Sequence, residues 1–203
     1  MFKSLESLFC NEEKEFKIIN FDKTDFYKKE NLNFLLDGVY VALEYNDSFK
    51  RKIENFKYLH NKELHKKFLP YLKKLFDLYL KNRVKKEDVF IVGVPMTFGR
   101  YFARGYNQTY LLAENFNKDL EFIKLFKKIK NTKHQVGLSK KQRQINVLNS
   151  FTIKKKYLNL VKGKDFIIVD DIISTGSTAN ELTKILKKNG ARKVYGLFLA
   201  TGY

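Results

Sequence analysis

The stretch Phe166-Ile167-Ile168-Val169-Asp170-Asp171-Ile172-Ile173-Ser174-Thr175-Gly176-Ser177-Thr178 leaves few folds open to this chain. An apolar run bounded by Lys164-Asp165 on one side and by two acids on the other reads as a strand buried on both faces, which is the signature of a parallel sheet. A turn of small residues follows, and Thr178 and Glu181 have the spacing of a capping box. The spacing predicts a helix starting near Thr178, with Leu182, Ile185 and Leu186 on its apolar face and Gly190 as its stop. In open α/β sheets, ligands bind where such a strand leaves the sheet and hands over to a helix.

The residue types at that handover define a chemistry. Backbone N–H groups of the turn, the positive end of the helix and the hydroxyls of Thr175, Ser177 and Thr178 converge on one place, which makes a phosphate cradle. Gly176 allows φ > 0 and a close approach of backbone to the anion. Asp170 and Asp171 repel phosphate, but carboxylates accept hydrogen bonds from sugar hydroxyls and help to hold Mg²⁺. A ribose 5-phosphate satisfies both halves. The plainer alternative is a strand, turn and helix with an incidental acidic pair. A P-loop is excluded, because no Gly-Lys-Ser/Thr occurs, and neither does Gly-x-Gly-x-x-Gly.

A chain of 203 residues accommodates one α/β domain and an appendage. Lys and Arg number 40 against 22 Asp and Glu, a net charge of +18, so the surface is broadly electropositive. That charge fits an anionic partner and equally a solvated lysine-rich surface. The single cysteine, Cys10, forms no intramolecular disulfide and no cysteine-based zinc cluster, and points to a reducing compartment. With no apolar stretch of membrane-spanning length, membrane insertion is not expected and a cytoplasmic location is.

Residues 1–37 show no clean periodicity and form the expected appendage; 38–203 form the main domain. Residues 38–45 alternate as a strand. Phe49, Ile53 and Phe56 line one face of a basic helix, and Leu72, Leu75, Phe76 and Tyr79 line another helix. Residues 88–94 repeat the buried-strand pattern and stop at Pro95. Residues 96–108 read as a functional loop with Arg100 and Arg104, side chains that bind oxyanions in a planar fork or are simply solvated. A helix over about 109–116 and a short strand over 122–126 follow. The run 127–135 is strongly basic, 136–150 reads as a long excursion of the kind that often forms a lid, and 194–200 reads as an edge or last parallel strand. His60, His65 and His134 are too scattered for a metal site.

Three blocks together resemble the ComF family of the type I phosphoribosyltransferase superfamily. They are Val94-Pro95-Met96 with Arg100 to Gln108, Thr132 to Ser139 with Arg143 to Val147, and Asp170 to Thr178; Phe56-Lys57-Tyr58 also resembles a family Lys-Tyr. The resemblance covers roughly 38–203. It implies a type I phosphoribosyltransferase fold: a mostly parallel central sheet flanked by helices, with a small N-terminal appendage. The family usually carries a zinc finger there, and with Cys10 alone no zinc is expected. It also implies a bacterial protein of DNA uptake in natural transformation that binds phosphoribosyl pyrophosphate (PRPP) or ribose 5-phosphate, with Mg²⁺ accompanying PRPP. Single-stranded DNA and other DNA-uptake proteins are its implied partners. Carried onto this chain, Asp170 and Asp171 meet the ribose hydroxyls as the catalytic pair, and Thr175, Gly176, Ser177 and Thr178 hold the 5-phosphate. Pro95, Met96, Thr97 and Arg100 face pyrophosphate, and Arg104, Asn107 and Gln108 support or bind anion. Lys127, Lys128, Lys130, Lys133, Lys140, Lys141 and Arg143 are candidates for DNA, with Tyr101 and Tyr106 either stacking on bases or buried in the core. The alternative is an active transferase acting on a nucleobase or amine in nucleotide metabolism; no general base is evident in the sequence.

Overall fold

A computed structural model describes residues 34–43, 47–58, 61–130 and 140–201. Its centre is a five-stranded sheet in the order β1-β7-β6-β2-β3, parallel at every pairing. The strands are β1 (Gly38–Leu43), β2 (Val89–Gly93), β3 (Glu121–Phe122), β6 (Asp165–Ile173) and β7 (Lys193–Thr201). Parallel strands need crossovers. These are supplied by α1 (Asp47–Tyr58) and α2 (Leu64–Tyr79) between β1 and β2, and by α6 (Ser177–Lys188) between β6 and β7.

Alternation along β6 builds two cores. Ile167 and Val169 join the apolar cluster with Phe56 of α1, Leu72 of α2 and Leu112 of α4 (Gln108–Asn115). Phe166 and Ile168 join a second cluster with Leu182 and Leu186 of α6. The opposite face also carries a small antiparallel pair, β4 (Phe126–Lys128) with β5 (Phe151–Ile153). A mostly parallel sheet covered by helices, with a strand buried on both faces at its centre, is the type I phosphoribosyltransferase architecture expected from the sequence.

Several local expectations are corrected. The acidic pair does not end its strand: β6 stays paired with β7 through Ile173 opposite Thr201, beyond the point where Gly93, the last residue of β2, faces Val169. The strand at 194–200 is the last parallel strand of the chain and not an edge, since it lies between β1 and β6. The capping box is absent. Helix α6 begins at Ser177 behind Gly176, and Glu181 Oε1 accepts the Asn149 N–H at 2.8 Å, closing the end of α5 (Lys140–Val147). The expected strand over 122–126 divides: Phe122 stays at the sheet edge against Tyr110, while Phe126 turns into the other core beside Phe151. The 96–108 loop contains a short helix, α3 (Phe98–Arg104), and the 136–150 excursion contains α5. Residues 131–139, the end of the basic run with Lys133 and His134 and the start of that excursion, lie outside the described residues, as do residues 1–33 and His60. No helix among the described residues is long and apolar enough to cross a membrane.

Candidate functional site

Registered parallel strands end at a common edge, so the chain leaving β2 at Val94-Pro95 emerges beside Asp170 of β6. Two clefts open there, and Asp170 and Thr178 line both.

The first cleft, about 50 Å³, is walled by residues 172–179, Asp170 and Phe198. Gly176 takes φ 68°, a left-handed backbone that favours glycine, and a Cβ on it would meet the Phe34 ring. Thr175 Oγ1 and Ser177 Oγ lie 2.7 Å apart and share one hydrogen bond, which fixes both hydroxyls in the cleft wall. The first intrahelical bond of α6 runs from Asn180 N–H to Gly176 carbonyl at 2.8 Å. The N–H groups of the first turn therefore have no helical acceptor, and that of Ser177 donates to Thr175 Oγ1 at 3.4 Å; the positive end of a helix is a setting that suits an anion.

The second cleft, about 130 Å³, lies between the Pro95 segment and Asp170. Asn107 builds it. Its Oδ1 accepts the Thr109 and Tyr110 N–H groups at 3.0 and 3.3 Å, capping α4, while its Nδ2 donates to Val94 carbonyl at 3.0 Å. Thr109 Oγ1 donates to the same carbonyl at 2.7 Å. Pro95, Met96, Arg100, Arg104, Gln108 and Lys128 complete the wall. Thr97 precedes α3 and contributes its carbonyl to Tyr101 N–H rather than a side chain to the cleft. Arg100 and Arg104 repel each other, and burial, the larger effect, already holds the Arg100 guanidinium below its usual range. Arg104 lies over the Tyr58 ring at 5.0 Å, and the Tyr106 hydroxyl donates to Phe56 carbonyl.

The two acids part company because successive residues of a strand point to opposite faces. Asp170 faces the clefts and accepts the Asp171 N–H at 2.9 Å. Asp171, 5 % exposed, lines neither cleft; it pairs with Lys57 Nζ at 2.9 Å and accepts from Gln108 Nε2 at 3.3 Å. Burial, and then the Asp171 charge, push the Asp170 carboxyl up to about 8, against the pull of Lys57 and Lys128. Burial first and Arg100 second bring the Lys128 ammonium down to about 8. Three cationic side chains, Arg100, Arg104 and Lys128, thus converge on a pocket with one carboxyl that sheds its proton reluctantly, a setting that an incoming anion or cation would rebalance.

The structure therefore brings together Asp170, the 175–178 turn, Pro95, Met96, Arg100, Arg104, Gln108 and one residue expected only as a DNA contact, Lys128. Lys127 lies on the outer side of α3, and Lys130 is exposed. Lys140, Lys141 and Arg143 belong to α5, and their side chains, like Lys133, lie outside the described residues. Tyr106 is buried in the core, so of the two tyrosines only Tyr101 is exposed. Lys57, a basic residue of α1 off the Phe49-Ile53-Phe56 face, nevertheless turns inward to Asp171; its place in the Lys-Tyr noted above is the one sequence signal for that role. Phe151, also in the cleft wall, carried no signal. Among the described residues no cluster of His, Cys, Asp or Glu is dense enough to hold a metal ion by itself.

A phosphoribosyl transferase domain model matches residues 60–199 of the chain. Competence protein F of Haemophilus influenzae is 37 % identical over 107 residues, which is 51 % of this chain and 46 % of that protein. The DNA utilization protein YhgH of Escherichia coli is 34 % identical over 107 residues, 51 % of this chain and 45 % of its own. The chain spans about half the length of the curated relatives it matches. Among solved structures, a Bacillus subtilis glutamine PRPP amidotransferase complexed with ADP and GMP aligns with a TM-score of 0.45 at 16 % identity, covering 71 % of this chain and 30 % of that one.

Proposed function

This chain belongs to the phosphoribosyl transferase domain family, and on that footing we propose that it is a ComF-type member that binds PRPP and serves DNA uptake by handling single-stranded DNA. One observation carries the ligand: Asp170 stands where two anion-suited clefts meet. PRPP has a ribose between a 5-phosphate and a pyrophosphate, so it places one anion in each cleft and its hydroxyls at the carboxylate between them. In this reading the 175–178 turn takes the 5-phosphate, Asp170 accepts from the ribose, and the Pro95 segment with Arg100 and Lys128 takes the pyrophosphate. Asp171 positions Asp170 through its N–H and through its ties to Lys57 and Gln108.

Mg²⁺ fits this donor set as a companion of the ligand. Mg²⁺ is commonly held by one or two carboxylates together with substrate phosphates and water, and Asp170 is the carboxylate that lines both clefts. The ion would screen pyrophosphate charge. Competence and DNA utilization, which name the relatives, supply the biological half of the proposal, and the +18 charge supports it, since a small-substrate transferase needs only a local positive site.

Isothermal titration with PRPP and Mg²⁺ tests the ligand. Asp170→Asn and the double variant Thr175→Ala, Ser177→Ala should each weaken binding about tenfold or more, the usual consequence of losing charged or paired hydrogen bonds. Unchanged affinity in both folded variants would remove PRPP from these clefts.

A further inference from the structure

A third groove adjoins the second cleft, sharing Pro95, Met96, Asn107 and Lys128 with it, and is completed by residues of α3 and beyond that the preceding reading does not use. The outer face of α3 leaves Phe98 and Phe102 82 % exposed and Tyr101 50 % exposed. These residues sit at i, i+3 and i+4 and so share one side of the helix. Folding gains nothing from aromatic rings held in water, which makes this stripe a candidate contact surface. Beneath it runs the groove, of about 310 Å³, lined by Phe98, Tyr101, Tyr110, Lys127, Lys128 and Lys154 among others, and by no carboxylate. Lys124 Nζ lies 5.7 Å from the Tyr110 ring centre and adds a further positive group. Among the described residues no ion pair joins Lys124, Lys127 or Lys154 to an acid.

We propose that this groove is where single-stranded nucleic acid lies, with bases on Phe98 and Tyr101 and backbone phosphates on Lys127 and Lys154. The inference rests on the reading that the chain handles single strands and assigns that role a surface adjoining the PRPP clefts. Open aromatic faces beside unopposed cations match a polymer that alternates π-faces with negative charge. A duplex keeps its base faces stacked inside and offers only phosphates to such a groove. An acidic protein would answer the lysines and leave the rings without a matching stack. Pro95, Met96, Asn107 and Lys128 border both the groove and the second PRPP cleft, whereas Asp170 lines only the clefts, so the strand passes next to the ligand without occupying the ribose position.

The test is fluorescence anisotropy of a labelled oligothymidylate of about 20 nucleotides at low salt, with the full chain. Replacing Phe98 and Tyr101 together by Ala should weaken binding about tenfold or more, as expected for lost base stacking. Replacing both by Trp should keep it. An abasic strand of the same length should bind the wild-type chain and the Ala variant equally. Lys127→Ala with Lys154→Ala should flatten the salt dependence by about 1.4 in log–log slope, about 0.7 for each lost phosphate contact. Phe98 and Tyr101 are exposed, and an unchanged melting temperature would verify the fold of each variant. If the wild-type chain binds oligothymidylate and the Ala variant binds it equally, the groove assignment is overturned and the single-strand reading stands. If the wild-type chain binds no strand, both fall. A duplex bound as tightly as the single strand also overturns the assignment.

Discussion

Asp170 and Asp171 show how much one peptide unit separates in function. Asp170 faces a polar cleft with its carboxyl pushed up to about 8 by burial and then by Asp171, whereas an unfolded aspartate titrates near 4. Between those values the folded chain holds a proton that the unfolded chain has lost, so this group lowers stability as pH rises from about 4 to 8. Asp170→Asn removes that dependence. Urea unfolding should find the variant more stable than wild type at pH 8.5 by at least about 1 kcal/mol, an amount kept well below the full shift because the carboxyl reaches the open cleft. The gain should shrink at pH 5.5, and an equal gain at both values would refute the assignment. Lys57 poses the opposite case. It is largely buried against Asp171, so Lys57→Ala leaves a buried carboxylate without its cation and should cost about 3 kcal/mol in the same measurement, the low end for a buried pair.

At the scale of elements, the site depends on how β2 and β6 pass into their helices. Asn107 caps α4 and pins Val94 carbonyl at once. Asn107→Ala should therefore cost about 1 to 2 kcal/mol by the ordinary loss of a cap and also weaken PRPP, because the Pro95 segment loses its anchor. A calorimetric binding curve that stays unchanged despite the lower melting temperature would show that the segment is held by other means. Gly176→Ala faces both a left-handed backbone and the Phe34 ring, and should destabilise by more than about 1 kcal/mol; thermal melting decides it. Element boundaries were readable from periodicity where a helix or strand buries one regular face, as with Phe49, Ile53 and Phe56. They were not readable where two cores compete for one short segment. Phe122 and Phe126 look like parts of one strand, yet they pack on opposite faces of the sheet.

For the whole molecule the relevant quantities are charge and the separation of surfaces. With a net charge of +18, affinity for single strands should fall steeply with salt, as each phosphate contact releases a condensed counterion; anisotropy titrations at several salt concentrations measure the slope. DNA lacks the ribose 2′-hydroxyl, so it satisfies Asp170 less well than a ribose ligand does. This argues for separate sites for ligand and strand. A strain carrying Asp170→Asn should grow without added purines or pyrimidines and transform at a much lower rate, with the variant shown by immunoblot to be expressed. Normal transformation would make the acid a relic of the fold. A nucleobase requirement would favour the transferase reading.

The sequence alone determined the features that depend on neighbours along the chain. A buried apolar run, an acidic pair and a Thr-Gly-Ser-Thr turn dictate strand, turn and helix, because a run of apolar residues, a glycine for positive φ and first-turn N–H groups without helical acceptors are local properties. Tertiary structure decided everything that depends on distant partners. It selected Asp170 over Asp171 for the clefts, since only packing says which face of β6 meets Lys57 and Gln108. It took Glu181 from its own helix to serve Asn149, and it turned Lys57 inward. It also buried Tyr106 while leaving Phe98, Tyr101 and Phe102 in solvent. Spacing along a chain assigns side chains to faces; which face meets a core, a cleft or water is settled only when the sheet has been covered.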